Sequence, residues 1–417
     1  MGRESGHSNC RFEFKLSAAF SLVILLGVVS LLADVATEGA RSITGLYLTM
    51  LGASTIVVST VTGLSELIGY GLRVVFGWMA DKLGHYWLPM FIGYSINLVA
   101  VPALALAGDW AAAVCLIMIE QVGRAMRSPA RDAILSYAGR NVGQGWAYGI
   151  RAALSSVGGM IGPVVIVAVM LLGGDYRVGF EVLLIPALMA VVILAHLWRA
   201  NPRPHEINSH EIQMDHLPNE NKNKLPRLFW IYVLAGAFIA AGYADFPLIT
   251  LHIGAFTQIS DGWVPVMYAI IMASNGLSAL IFGRSYDKIG LLPLLIVSIV
   301  VPIFVPLVLS SNSTLIIIGM LLYGMGFGAQ GSVMRAIVAD MSPNCRRASA
   351  FGFYNAAFGI SWFVGSVTMG MLYEMSIPAM ILLSMGLQFS AVPILIHVMR
   401  ELSSVPHTQK GEVTAEA

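Results

Sequence analysis

The chain has 417 residues, of which 57% are hydrophobic and 11% are charged, and its net charge at pH 7 is +1. Soluble proteins carry roughly 25% charged residues, so this composition excludes a soluble domain and predicts a polytopic helical membrane protein. The charges form no basic stripe, which argues against a nucleic-acid partner.

Apolar stretches bounded by charges, glycine and proline predict an all-α membrane protein with twelve transmembrane helices. Six helices fall in residues 16–199 and six in residues 228–399, joined by a polar linker, 200–227, and flanked by tails at 1–15 and 400–417. The predicted helices cover residues 16–48, 54–79, 87–107, 110–127, 146–172, 180–199, 228–253, 262–282, 291–310, 314–338, 349–373 and 378–399. The first tail has no cleavable signal pattern, so the first apolar segment is expected to remain as a helix.

Basic residues set the orientation of these helices in the membrane. One set of tails and loops carries nearly all of them: Arg3, Arg11, Lys15, Lys82, Arg127, Arg131, Arg140, Arg203, Lys222, Lys224, Arg227, Lys288, Arg335, Arg346, Arg347 and Lys410. The opposite loops contain only Arg177. Because positive loops stay in the cytoplasm, both termini and the linker are predicted to be cytoplasmic.

The first helix contains Asp34, Glu38 and Arg41, whose spacing of four and three residues places them on one helical face. An ionised side chain near the bilayer centre costs roughly 2.5–3.5 kcal/mol on insertion scales, so these residues are expected to face a protein interior or a hydrated cavity. The alternative is that they lie at the outer headgroups with Arg41 extended toward water. Of the two acids, Asp34 is the better candidate for a site.

Two further acids lie within predicted helices 2 and 4. Glu66 has no partner at close spacing on its own helix, whereas Glu120 lies one turn before Arg124 and can pair with it. Burial and a nearby arginine act in opposite directions on the proton affinity of a carboxylate, so either acid is a plausible proton switch. The alternative for Glu120 is a static ion pair that fixes helix 4 to its neighbours.

Predicted helix 7 contains Asp245, two residues before Pro247. Proline frees backbone carbonyls, and broken membrane helices often line binding sites, although Asp245 is equally compatible with the outer end of the helix. Asn275, Gln330 and Asn355 are expected either to line a cavity or to bond neighbouring helices, and His252 is expected at the membrane interface.

The linker holds His205, His210 and His216 among acidic residues, which is compatible with weak metal binding. A solvated polar linker explains them better, and the three cysteines of the chain show no metal spacing. No metal site and no cofactor is therefore predicted.

A short motif, Gly-x-x-x-Asp-Lys-x-Gly, occurs twice, about 206 residues apart. The two copies consist of Gly77, Asp81, Lys82 and Gly84, and of Gly283, Asp287, Lys288 and Gly290. Small residues repeat at a displacement of about 203, since Gly149 and Gly162 have counterparts in Gly352 and Gly365. A polar turn repeated at half the chain length indicates two similar halves inserted in the same orientation.

The repeated motif resembles the loop between helices 2 and 3 of the major facilitator superfamily of secondary transporters. Gly149, Gly158, Gly162 and Pro163 are similar to the helix 5 motif of drug and proton antiporters in that superfamily, although two further glycines of the motif are replaced by apolar residues here. Residues 120–133 and the Asp34-x-x-x-Glu38 pattern resemble a bacterial and archaeal subgroup. The resemblance implies a twelve-helix alternating-access permease, with Asp81 and Asp287 latching helix ends on the cytoplasmic side.

The leading functional prediction is a secondary active transporter of the cytoplasmic membrane, which exports a small solute in exchange for protons. The alternatives are a proton-coupled uptake symporter and a non-transporting membrane sensor or scaffold. No nucleophile–base pair, metal cluster or phosphate-binding loop is present in the sequence, so an enzyme is not predicted. The expected partners are the solute, protons and lipid, and the expected state is a monomer.

Overall fold

The computed structural model describes residues 5–202, 224–256 and 264–404, and these residues form helices and turns without a strand. The first six helices are α1 (Ser5–Met50), α2 (Thr55–Leu83), α3 (Trp87–Ala103), α4 (Trp110–Val142), α5 (Gln144–Leu171) and α6 (Tyr176–Val182 with Leu184–Ala200). The last six are α7 (Arg227–Ala241 with Phe246–Phe256), α8 (Val264–Ile289), α9 (Leu292–Val300 with Phe304–Val308), α10 (Ser313–Ala329 with Arg335–Met341), α11 (Arg347–Met375) and α12 (Ile377–Ser404). The predicted number of helices is confirmed.

Nine of these helices are long and apolar enough to cross a membrane, counting only residues that the structure describes. The two parts of α9 and the turn between them form a shorter apolar helix, Leu292–Val308. The remaining helices, α2 and α4, carry several charged residues in their interiors. Many of those charges are buried against neighbouring helices, which removes the cost of exposing them to lipid.

Helix α4 is longer than predicted, because it continues from Arg127 to Val142 without a break. Arg127 is buried, with its guanidinium 4.4 Å from the centre of the Tyr94 ring, and Arg131 donates a hydrogen bond of 2.9 Å to Asp132. The protein interior therefore satisfies these charges, and they do not mark the end of the helix. Their assignment to a cytoplasmic loop was wrong.

The repeated motif forms helix ends rather than separate turns. Residues 77–82 belong to the last turns of α2, and the chain turns at Gly84, where φ is 65°. Residues 283–288 belong in the same way to α8, and Gly290 has a φ of 66°. Glycine is favoured at both positions because other residues rarely adopt this left-handed conformation. The helix ends predicted at residues 79 and 282 were therefore too early.

Glycines allow the helices to pack closely around the centre of the molecule. Helix α5 packs against α1 and α8, while α11 packs in the equivalent way against α7 and α2. Gly158 and Gly162 face backbone carbonyls of α1, and a Cβ atom at Gly162 would lie 2.5 Å from the Val35 oxygen. Gly149 and Gly352 face carbonyls of α8 and α2, respectively. Small residues thus lie where the helices approach most closely, which is how membrane helices gain packing energy.

Four helices depart from regular α geometry within their described lengths. Helix α6 is interrupted at Leu183. Helix α7 is interrupted between Ala241 and Phe246, next to the proline at position 247. Helix α9 contains a 3-10 turn at Val301–Ile303, and α10 contains a π-helical turn at Gln330–Met334. Helix α5 continues through Pro163. Breaks of this kind in membrane helices are tolerated where they line a cavity or lie within protein.

Several predicted features fall outside the described residues. They are most of the linker, with His205, His210 and His216, and the part of the second tail beyond residue 404. The first tail was predicted to end at residue 15, but α1 begins at Ser5.

Candidate functional site

Asp81, in the first copy of the motif, binds the start of α11. Its carboxylate accepts hydrogen bonds from the backbone N–H groups of Ala348 and Ser349, at 3.1 and 2.6 Å. The Tyr86 hydroxyl donates a further bond of 3.0 Å. The first N–H groups of a helix have no partner within it and carry partial positive charge, so a carboxylate stabilises them. Asp81 thus links the first half of the molecule to the second.

Asp287, in the second copy, makes the equivalent link in the opposite sense. Its carboxylate accepts hydrogen bonds from the backbone N–H groups of Gly145 and Trp146 at the start of α5, both at 2.7 Å. Gly283 packs directly against the Gly145 carbonyl, which leaves no room for a side chain. We call the end of the molecule that carries Asp81 and Asp287 the turn end.

Further hydrogen bonds join the two halves at the turn end. Arg140 donates to the Asn344 side chain at 2.6 Å, and the Tyr137 hydroxyl donates to the Asn344 carbonyl at 3.1 Å. Arg347 donates to the Ser136 hydroxyl at 2.7 Å. Within the described ranges, all hydrogen bonds that we find between α1–α6 and α7–α12 lie at this end. The molecule is therefore closed at the turn end.

The lysines of the two motifs take no part in these links. Lys82 is exposed, and its Nζ lies 4.8 Å from the centre of the Trp78 ring. Lys288 is also exposed, at the end of α8.

A cavity of about 370 Å³ lies between the two halves, beyond the closed turn end. Asp34, Glu38 and Arg41 of α1 contribute to its wall, together with Asp245 at the break in α7. Five aromatic side chains line it as well: Phe246, Tyr268, Tyr323, Phe327 and Trp362. We call this cavity the acidic compartment. The expectation that the α1 charges face a cavity rather than lipid is supported by this arrangement.

A second cavity, of about 210 Å³, adjoins the first and shares Ser155, Asn275, Phe327 and Trp362 with it. Two arginines line this second cavity, Arg151 of α5 and Arg335 of α10. Its other lining side chains include Tyr70, Gln330, Tyr354, Asn355 and Phe358. We call this cavity the arginine compartment. Asn275, Gln330 and Asn355 therefore line the cleft, which was one of the two predicted roles.

Asp34 and Asp245 are bound by neutral donors. The Ser155 hydroxyl of α5 donates to Asp34, and Trp362 Nε1 and the Ser366 hydroxyl of α11 donate to Asp245. Among the residues that the structure describes, neither carboxylate has a cation within ion-pair distance. Each acid thus joins the first helix of its half to the fifth helix of the same half.

The other predicted acids are paired with arginines. Glu38 lies 3.7 Å from Arg41, and Glu66 lies 2.5 Å from the same guanidinium. Glu120 pairs with Arg124 at 2.9 Å, as the spacing predicts. Glu66 has no ion-pair partner on its own helix among the described residues, as the spacing predicts, and α1 supplies its partner, Arg41. Glu66 and Glu120 are not among the side chains that line the two compartments.

Sequence reasoning missed both residues that define the arginine compartment. Arg151 is a single charge inside a predicted apolar helix, which is the signal that singled out Asp34. Arg335 was assigned to the basic residues of the cytoplasmic side, but it lies on α10 with its side chain in the cleft. Counting the charged residues inside the predicted helices, and not only those in the loops between helices, would have identified Arg151 and Arg335.

His252, which was predicted at the membrane interface, is buried between helices. One ring nitrogen lies 3.0 Å from the Tyr373 hydroxyl and the other 3.1 Å from the Leu309 carbonyl, so the side chain joins α7 to α9 and α11. In the described part of the chain, no group of three or more His, Cys, Asp or Glu side chains is arranged to hold a metal ion.

The family model described as Major Facilitator Superfamily matches residues 16–309 and 229–415. The chain belongs to this superfamily of membrane transporters. Human MFSD10 (TETRAN), an organic anion transporter whose crystal structure is known, shares the fold with a TM-score of 0.69 and 13% identity, over 91% of this chain and 99% of that one. The family and the solved neighbour are transporters rather than enzymes, as the sequence predicts.

Relatives with higher identity cover most of the chain. The uncharacterized protein Rv2265 of Mycobacterium tuberculosis is 36% identical over 376 residues, or 90% of this chain and 92% of that protein. The uncharacterized MFS-type transporter MJ1317 of Methanocaldococcus jannaschii is 25% identical over 85% of this chain and 89% of its own length. Tetracycline resistance protein class H of Pasteurella multocida is 28% identical over a shorter stretch, 37% of this chain and 38% of that protein.

Proposed function

We propose that this transporter exports a small solute across the cytoplasmic membrane in exchange for protons. Two bundles, residues 16–199 and 228–399, rock about the cleft and open it to one side at a time. One observation carries the proposal: the cleft is closed at the turn end, and its two central carboxylates are bound only by neutral donors. One chain holds both bundles, so a monomer is sufficient.

The orientation of the molecule follows from its basic residues. The turn end and the tails carry almost all the lysines and arginines outside the helix interiors, and positive segments stay in the cytoplasm. Both termini are therefore cytoplasmic in our proposal. The closed turn end then faces the cytoplasm, and the cleft communicates with the outside.

Asp34 and Asp245 are the acids that carry the transported protons. Protonation of Glu120 would leave the largely buried guanidinium of Arg124 without its counter-charge, which is costly in a low dielectric. Glu38 and Glu66 share the guanidinium of Arg41, and a nearby positive charge favours the ionised form of both acids. Asp34 and Asp245 incur no such cost, because hydroxyl and indole groups are their partners. Arg41 and Arg124 keep the paired acids ionised, and Arg41 also joins α1 to α2 through Glu66. Asp81 and Asp287 act as gates, because each holds the cytoplasmic end closed.

Two observations favour export over uptake. The similarity to a tetracycline resistance protein covers part of the chain. In addition, Gly158 and Gly162 belong to the α5 motif that resembles the one in drug and proton antiporters. They hold α5 against α1, the helix that carries Asp34.

Proton exchange can be measured in inside-out membrane vesicles that are acidified internally, with a dye whose fluorescence is quenched by the pH gradient. The probes are tetracycline and the solutes that raise the melting temperature of the purified protein in a ligand screen. An antiporter lets a solute added outside the vesicles enter in exchange for protons, so fluorescence recovers.

The same vesicles distinguish the alternative functions. An uptake symporter gives recovery only when the solute is loaded inside the vesicles, and a sensor or scaffold gives recovery in neither case. Vesicles from cells without the protein provide the baseline. Recovery restricted to preloaded vesicles would contradict export, and no recovery with any stabilising solute would contradict transport.

A further inference from the structure

Arg151 is a deeply buried cation without a counter-ion. Its side chain lines the arginine compartment, the residue is only 5% exposed, and its Nε atom has no hydrogen-bond partner. Within the described residues it forms no ion pair. A buried charge of this kind costs several kcal/mol unless a partner of opposite charge is supplied. The arrangement therefore requires an anion that the chain itself does not provide.

The surrounding charges do not meet this requirement. Asp34 accepts a hydrogen bond from Ser155 and forms no ion pair with Arg151 among the described residues. Asp132 is fully buried and binds Arg131 at 2.9 Å. Arg335 lies 3.9 Å from the other oxygen of Asp132, so this single carboxylate already faces two guanidinium groups. Arg73 of α2 lies against the ring of Tyr70, which lines the compartment, and adds positive charge on that side. The compartment as a whole is electropositive.

The remaining wall suits an anion that carries a flat apolar body. Amide groups of Asn275, Gln330 and Asn355 can donate hydrogen bonds to an oxyanion, as guanidinium groups do. Phe327 and Trp362 line both compartments, so an apolar body can extend from the arginines toward the acidic compartment.

We propose that the arginine compartment binds the carboxylate or phosphate group of the transported solute, between Arg151 and Arg335. This inference rests on the proposed transport function for the identity of the ligand, but not for the binding itself. Ser155 lies one turn after Arg151 on α5, lines both compartments and donates a hydrogen bond to Asp34. The bound anionic group and the proton-carrying Asp34 are thus separated by one side chain, which explains how solute and proton influence each other.

The test compares small aromatic probes that differ in charge: benzoate, phenyl phosphate, benzylamine and benzyl alcohol. Purified protein in lipid nanodiscs is melted with each probe at constant ionic strength, followed by tryptophan fluorescence. We expect the two anions to raise the melting temperature in a saturable manner and the amine and the alcohol to have no such effect. Anions that stabilise no more than the alcohol would overturn the proposal.

Variants locate the binding. Arg151→Gln and Arg335→Gln are each expected to weaken anion binding at least about tenfold, because hydrogen bonds to charged groups are lost. Arg177→Gln, at an exposed arginine of α6, is the matched control and should bind as the wild type does. Unchanged anion binding by Arg151→Gln would place the anion elsewhere and contradict the proposal.

A second measurement separates binding from a structural role of Arg151. Without an anion, Arg151→Gln should melt no lower than the wild type, because it removes an uncompensated buried charge. A lower melting temperature would indicate that Arg151 stabilises the fold, against the proposal. The melting assay requires no gradient, so anion binding without proton exchange contradicts only the proposed transport function, and proton exchange without anion binding contradicts only this inference.

Discussion

The two halves of the molecule can be compared position by position, because residues about 203 to 206 apart occupy equivalent places. Both halves use an Asp at the end of their second helix to bind the first N–H groups of the fifth helix in the other half. Both also hold an acid of the first helix against donors on the fifth helix of the same half, Asp34 in one and Asp245 in the other. These two acids are 211 residues apart, so they correspond in role and not in position.

The halves differ in the other charges that their helices carry. The first half contains the ion pairs of Arg41 and Arg124 and the unpaired Arg151, whereas Arg335 is the cation that the second half contributes to the cleft. Two bundles that rock against each other need equivalent contacts on both sides, but a bound solute touches the two sides differently. The shared residues therefore belong to the conformational change, and the unshared ones to recognition of the solute.

The largest expected effect concerns the two shared acids. Asp34→Asn and Asp245→Asn should each reduce proton-coupled transport to the background of empty vesicles, because an amide cannot bind and release the transported proton at this site. The measurement is the recovery of dye fluorescence in inside-out vesicles.

Asp175→Asn is the matched control, because Asp175 is an exposed N-cap of α6, where asparagine caps equally well. Full activity in either of the two cleft variants would break the equivalence of Asp34 and Asp245.

The second prediction tests the close packing at the turn end. Gly77→Val and Gly283→Val place a side chain against the backbone at Ala348 and Gly145, respectively. Overpacking costs about 1–3 kcal/mol, so the ratio of closed to open molecules should fall about 5–150-fold. Spin labels at His85 and Arg346, in a background without the native cysteines, report the separation of the two halves by pulsed EPR.

Gly71→Val on the same helix is the control for the cost of valine in a helix, since a Cβ atom at Gly71 would meet nothing within 4 Å. An equal opening in this control would show that helix propensity, and not packing, is responsible. A large opening in only one of the two turn-end variants would show that the close packing at Gly77 and at Gly283 does not contribute equally to the closed state.

The features that could be predicted from sequence depend on neighbours in the chain. Hydropathy gave the twelve helices, a spacing of four gave the pair of Glu120 and Arg124, and the doubled motif identified Asp81 and Asp287. These signals are local or repeated, so one sequence is sufficient to recognise them.

The features that were missed depend on contacts between distant segments. Arg41 of α1 binds Glu66 of α2, and no spacing along either helix indicates that pair. The arginine compartment combines α5 with α10, and α4 extends beyond Arg127 because the Tyr94 ring of α3 receives that charge. Each of these three features depends on how side chains are buried between helices, and a hydropathy profile does not show that burial.

The third prediction removes the charge of each gate in turn. Asp81→Asn and Asp287→Asn retain one oxygen acceptor but lose the charge that strengthens bonds to a helix start. The loss is about 1–2 kcal/mol, so the closed population should fall about tenfold in each variant, less than with valine at Gly283. Pulsed EPR with the same label pair measures it.

Asp109→Asn is the control for the third prediction, since Asp109 caps α4 and makes no contact across the cleft that we find in the described residues. If one gate variant left the closed population unchanged, the two links would not be energetically equivalent, despite their equal geometry.

The smallest effect is expected where the two gates differ. Tyr86 donates a hydrogen bond of 3.0 Å to Asp81, whereas the position about 206 residues later is Leu292, which has no hydroxyl. Tyr86→Phe keeps the ring against Tyr137 and removes one bond of about 0.5–1.5 kcal/mol, so the closed population should fall about 2–10-fold. The change should disappear when Asp81→Ala is already present, because the hydroxyl acts through that carboxylate and alanine offers no acceptor. Equal effects of Tyr86→Phe with and without Asp81→Ala would mean that the hydroxyl supports the turn end by another route, and that the two gates are more alike than their sequences suggest.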